Sequence, residues 1–199
     1  GTTKGTNGSG ISATNSSQGT DLTINAAETE GGVYGIRAEN QGTGALSITT
    51  TGTTKGTEYD GIYAKSGGGG AVNITTLGAV TGGKHGINVR NQTRDGNIGK
   101  TSITVGSTST ITTSAVRGYG ILNRMAEYND DNEFVPLSKS DVPNVITVAG
   151  TIKTEGAGAH GIVQDGGTSI ANISGTVDVT GSNTDSQTSS TILTDGLPV

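Results

Sequence analysis

The dipeptide Gly-Ile recurs along this chain at nearly constant spacing, in Ser9-Gly10-Ile11-Ser12-Ala13, Tyr34-Gly35-Ile36-Arg37-Ala38, Asp60-Gly61-Ile62-Tyr63-Ala64 and His85-Gly86-Ile87-Asn88-Val89. Successive isoleucines lie 25, 26 and 25 residues apart. A fixed period of this length marks a stack of like units. Two further copies, Tyr119-Gly120-Ile121-Leu122 and His160-Gly161-Ile162-Val163, follow after 34 and 41 residues, so those coils carry insertions. Thr191-Ile192-Leu193-Thr194 is a degenerate last copy.

Each repeat holds a second run of period-two alternation, such as Leu22-Thr23-Ile24, Leu46-Ser47-Ile48, Val72-Asn73-Ile74, Ile103-Thr104-Val105, Val145-Ile146-Thr147-Val148 and Ile170-Ala171-Asn172-Ile173. A weaker third run follows, as in Gly78-Ala79-Val80-Thr81, Gly150-Thr151-Ile152-Lys153 and Gly175-Thr176-Val177-Asp178-Val179. Alternation of this kind reads as strand, and three short strands per coil is solenoid geometry. The expectation is an all-β, right-handed parallel β-helix: one domain over 1–199, about seven coils of roughly 25 residues, with a loop insertion near 123–143. No sustained 3.6-residue pattern argues for helix. In a parallel stack equivalent residues sit about 4.8 Å apart, so Ile11, Ile36, Ile62, Ile87, Ile121 and Ile162 form one inward ladder and Ala13, Ala38, Ala64 and Val89 a second. The glycine before each Ile is expected to permit a positive φ or a tight corner.

Composition explains why the core must be thin. Gly supplies 35 residues, and the hydrophobic set reaches only 30%. Such a chain either stays disordered or buries one or two aliphatic side chains per strand in a repeat. A Gly-Ile register kept over six copies excludes the first.

The net charge of −5 argues against a nucleic-acid partner, which needs a basic surface. With no cysteine there is no disulfide framework, thiolate metal site or Cys nucleophile. No segment approaches the apolar length of a membrane-spanning helix, and Gly1-Thr2-Thr3-Lys4 lacks the apolar stretch of a signal peptide, so the numbering is expected to begin inside a mature fragment.

The Gly-Ile-x-Ala steps, Thr/Gly-rich second runs and absence of cysteine resemble passenger domains of autotransporters, particularly the Bartonella type with Tyr/His-Gly-Ile repeats. The resemblance covers nearly the whole chain and implies a virulence-associated, extracellular protein on the bacterial surface or secreted from it. It implies an adhesin or receptor agonist without cofactor, whose partner is a host cell-surface receptor. Some passengers of this group are pro-angiogenic ligands of a vascular endothelial growth factor receptor. No series of alternating strands like the membrane β-barrel of such proteins is found here, so the resemblance implies a passenger fragment.

Candidate contacts lie on the outward positions of the first strand. Alternation aligns Glu39, Lys65, Arg90 and Arg124, giving three neighbouring basic rungs, and Lys84, His85 and Arg94 lie close in sequence to the middle one. This stripe suits an acidic receptor surface or a sulfated glycan; the plain alternative is a solvated strand face. The longer coil from Ile87 to Gly120 leaves the alignment of Arg124 open. The insertion adds Glu127, Tyr128 and Phe134, anchors among acids of the kind that functional loops carry, or else a tolerated insertion packed on a coil edge. Its Asp130, Asp131 and Glu133 do not match an EF-hand loop, and no metal site is expected.

Several motifs carry nothing. Gly156-Ala157-Gly158-Ala159-His160-Gly161 matches a dinucleotide fingerprint but leads into a strand, and Gly78 through Lys84 begins like a P-loop without the Ser/Thr or the helix. His85 and His160 flank the Tyr119 copy, so about 10 Å divides them, too far to share a metal. The remaining alternative is a polysaccharide lyase or glycosidase, since β-helices also host these. Asp60 beside Lys84 and His85 is its best constellation, but it lacks a carboxylate partner, and Tyr34, Tyr63 and Tyr119 are too few to line a long groove. No catalytic residue is assigned, and the expectation is a binding protein that is not an enzyme.

Overall fold

The computed structural model describes residues 1–93, 98–128, 134–136, 144–181 and 190–195, with 127, 128, 134–136 and 190–195 described through their backbone. The chain is a parallel β-solenoid whose described residues contain strands and no helix. Its three walls are sheets in which each strand pairs with its equivalent one coil away.

The Gly-Ile wall comprises Ile11–Asn15, Ile36–Asn40, Ile62–Ser66, Ile87–Thr93, Tyr119–Tyr128, His160–Asp165 and Ser190–Asp195. Its register aligns Ile11, Ile36, Ile62, Ile87, Ile121, Ile162 and Ile192, so the degenerate last copy is a true rung. The second wall runs from Leu22–Ala26 to Ser169–Ile173 and aligns Ile24, Ile48, Ile74, Ile103 and Ile146. The third runs from Thr2–Gly5 to Thr176–Val179 and aligns Val80, Ile111, Ile152 and Val177. These ladders meet in one continuous core, where Ile36, Ile62, Ile87, Ile121 and Ile162 are fully buried. Each such isoleucine contributes about 1.5–3 kcal/mol of transfer free energy.

The second inward ladder starts as expected with Ala13, Ala38, Ala64 and Val89, then changes character. Asn123 and Gln164 continue it, both buried, and Asn123 Nδ2 donates to Gln164 Oε1 at 2.8 Å. This one bond joins the two amides across adjacent coils, while Asn123 Oδ1 and Gln164 Nε2 stay buried without a protein partner.

The repeat glycines serve close packing and not a left-handed backbone. The described glycines with positive φ are Gly69, Gly158, Gly166 and Gly167, none of them in a Gly-Ile step. A Cβ on Gly86 would lie 2.2 Å from Ile111 Cγ2 and 2.6 Å from the Gly120 carbonyl oxygen. The corner of one coil presses onto the next, and only hydrogen fits between them.

The insertion after Ile121 proves to be more than a loop. Its first residues prolong the wall strand to Tyr128, and Phe134–Pro136 returns antiparallel, pairing Tyr128 with Phe134 and Ala126 with Pro136. The wall strand and its neighbour Ile87–Thr93 run on together as far as the Thr93 and Glu127 pair, and Phe134–Pro136 adds an antiparallel strand to that extension.

Candidate functional site

The outer face of the Gly-Ile wall carries the aligned charges. Glu39 pairs with Lys65, Lys65 with Arg90, Arg90 with Arg124 and Arg124 with Asp165. The longer coil from Ile87 to Gly120 does not shift Arg124, because the two strands pair in register from Ile87 with Ile121 through Thr93 with Glu127. Three basic rungs therefore stand in line, bounded by acids at either end. Arg124 Nε lies 3.6 Å from Asp165 Oδ2, so that terminal cation is partly neutralised.

A cleft of about 260 Å³ opens beside this ladder, at the corner that precedes it. Three successive coils build it: Tyr34 and Arg37 come from the first, Tyr59, Asp60 and Tyr63 from the next, and Lys84, Asn88 and Arg90 from the third. Arg37, Tyr63 and Asn88 are register partners on the outward rank. Tyr59 enters through the corner, where its amide donates to the Val33 carbonyl at 3.0 Å and its own carbonyl accepts from the Lys84 amide at 2.8 Å. The Tyr34 ring stacks on Tyr59 with centroids 5.3 Å apart and meets Tyr63 at 5.6 Å, tilted by 46°. The Arg90 guanidinium lies over Tyr63, 5.8 Å from the ring centroid.

Asp60 is buried at 3% exposure in the floor of the cleft, and burial pushes its carboxyl up to about 6. A hydrogen bond from Asn88 Nδ2 to Oδ2 at 2.9 Å and the charges of Lys84 and Arg90 oppose that rise without cancelling it. Burial likewise raises the phenols of Tyr34 and Tyr63, which keeps both neutral. Asp60 is the single carboxyl among the lining residues. A cleft with one acid lacks the carboxylate pair of glycoside hydrolysis.

Of the other sequence candidates, Lys84 lines the cleft, whereas His85 is only 5% exposed and stands behind the surface. The His85 Nδ1 accepts the Tyr119 amide at 3.1 Å, and its ring stacks on Tyr119 at 4.8 Å. Tyr119 in turn stacks on His160 at 5.5 Å, which separates the two histidines by a phenol ring. Burial and nearby cations lower His85 to about 4, so it is a neutral corner residue and not part of the basic stripe. Arg94, Asp130, Asp131 and Glu133 lie outside the described residues, as do the side chains of Glu127, Tyr128 and Phe134. Among the described residues no group of three or more His, Asp or Glu side chains converges as a metal site would require, and no helix is long and apolar enough to cross a membrane.

Sequence reasoning missed Tyr59 and the part played by Arg37 and Asn88. The available signal was the Tyr59-Asp60 step, an aromatic residue directly before the repeat position that carries tyrosine in the preceding coil. No protein-family model, curated protein or solved structure matches this chain.

Proposed function

We propose that the chain is an autotransporter passenger, displayed on or released from a bacterial surface, which binds a host-cell receptor through the outer face of its Gly-Ile wall. The observation that carries this reading is the unbroken register of Lys65, Arg90 and Arg124. In a chain of net charge −5, three cations on adjacent rungs form a local field of opposite sign, suited to steering toward an acidic surface. A rigid solenoid holds these charges at the rung spacing of about 4.8 Å, so little ordering is left for the moment of binding. Adhesion and receptor agonism, including agonism at a vascular endothelial growth factor receptor, share this surface; the agonist form rests on the family resemblance.

Binding of the labelled chain to endothelial cells tests the reading. The triple variant Lys65→Gln, Arg90→Gln, Arg124→Gln is expected to lose most of its binding, with a salt-sensitive association rate in the parent and an unchanged circular dichroism spectrum. Undiminished binding by the folded variant refutes the ladder as the contact surface. The lyase or glycosidase reading stands second, supported by the tyrosine-lined cleft around Asp60. Glycan turnover abolished by Asp60→Asn decides in its favour.

A further inference from the structure

The cleft has features that a receptor-steering face does not need. Its volume of about 260 Å³ falls below the roughly 300–1,000 Å³ of pockets for drug-sized ligands and suits one small ring. Tyr34 and Tyr63 meet at an angle, and Tyr59, at 39% exposure, stands at the rim. Angled aromatic surfaces of this kind hold the C–H face of a saturated ring. Three cations, Arg37, Lys84 and Arg90, share the lining with the single carboxyl of Asp60. The balance favours an anionic group on the ligand, even though Arg37 also pairs with Glu39.

A second, independent observation concerns hydrogen bonds. Three lining side chains carry buried polar atoms with no partner in the protein: Asp60 Oδ1, Asn88 Oδ1 and Arg90 Nε. Two are acceptors and one is a donor. Nine other buried polar atoms of the described residues also lack a protein partner, so these three do not by themselves mark a site; they lie beside the cleft, where a ligand that displaces the side chains can partner them. Hydroxyl groups supply donors for the two oxygens, and the ligand's anion or ring oxygen supplies an acceptor for the guanidinium.

We infer that this cleft is a subsite for one acidic sugar unit, a hexose bearing a carboxylate or a sulfate. Its ring packs against Tyr63 and Tyr34, its anion is held by Arg37, Lys84 and Arg90, and adjacent hydroxyls bond to the Asp60 and Asn88 pair as these side chains adjust around it. The inference goes beyond the receptor reading and shares Arg90 alone with it.

Titrations of the whole chain followed by amide NMR test the subsite, using D-glucuronate, D-glucose 6-sulfate, D-glucose and adenosine 5′-monophosphate as probes. Saturable shifts are expected at Asp60, Tyr63, Asn88 and Arg90 with at least one acidic sugar, and the stronger of the two identifies carboxylate or sulfate as the anion. Glucose should bind at least ten-fold more weakly. Tyr63→Ala and Asn88→Ala should each weaken the preferred sugar ten-fold or more, and the half-exposed Arg37→Gln, which leaves the core untouched, should weaken it at least three-fold. Lys65→Gln should leave it unchanged, so that failure of the ladder and failure of the cleft are separable. The inference is overturned by the absence of saturation with both acidic sugars, by an equal response to glucose, by stronger binding of the nucleotide, or by shifts that survive the Tyr63, Asn88 and Arg37 substitutions.

Discussion

Arg90 lies over the ring of Tyr63 while standing in register between Lys65 and Arg124, so one side chain belongs both to the basic ladder and to the tyrosine cleft. Its positive charge also lowers the Tyr63 phenol, against the larger upward effect of burial. Replacing it by Gln is expected to raise the Tyr63 pKa further and to destabilise the fold by about 0.5–1 kcal/mol, the worth of a partly exposed cation–π contact. Ultraviolet titration of the phenols checks the direction. A lowered Tyr63 pKa in Arg90→Gln contradicts the contact.

The close approach of corners makes a sharp prediction at glycine. Gly86→Ala places a methyl group against Ile111 and the Gly120 carbonyl and is expected to destabilise by about 1–3 kcal/mol or more, as overpacking does. Gly8→Ala meets nothing within 4 Å and should change stability by less than about 0.5 kcal/mol. Urea midpoints of the two variants separate crowding from a general intolerance of alanine. Equal losses at both positions contradict the packing account.

Burial grades the isoleucine ladder. Ile87 is fully buried between two coils, whereas Ile11 sits in the first rung and is only partly covered. Truncation of Ile87 to Ala should cost about 3–4 kcal/mol and that of Ile11 about half as much, because the outer site loses less packing and relaxes more easily. Thermal or urea unfolding of the pair measures the difference.

Asp60 and His85 act on stability with opposite sign. Asp60 rises from 3.8 to about 6 on folding, so between those values the native state holds a proton that the unfolded chain has released, and stability falls as pH rises. His85 falls from 6.5 to about 4, so there the unfolded chain holds the extra proton and stability grows as pH rises. Over roughly pH 4 to 6 the two nearly cancel. Asp60→Asn removes the first and leaves the second, so the variant should gain about 2 kcal/mol relative to the parent between pH 4 and 6. Stability curves that stay parallel across this range would falsify the assignment.

The inward ladders and the basic stripe were legible in the residues alone because both follow from two local facts. Side chains alternate across a strand, and a parallel stack repeats each position one rung on, so the spacing of Gly-Ile suffices to align Lys65 with Arg90. Where that rule was pushed further it failed in instructive ways. Leu122 belongs to the outward rank of Tyr63 and Asn88, yet it is 2% exposed; Asn123 points inward as alternation requires, but brings an amide to a row of alanines and a valine. Such departures depend on what packs against a particular rung, which periodicity does not encode.

The sequence by itself determined the solenoid, its register and the line of cations, because a strict repeat makes distant residues equivalent and equivalent residues neighbours. Only the tertiary structure decided that Tyr34, Tyr59 and Tyr63 share a cleft over Asp60, and that His85 stands behind it. Tyr34, Tyr59 and His85 sit at a corner, where the backbone leaves the period-two geometry, and Tyr63 reaches the cleft from the adjoining strand. How such a side chain turns depends on what packs against it from adjacent coils, as where the His85 ring stacks on Tyr119.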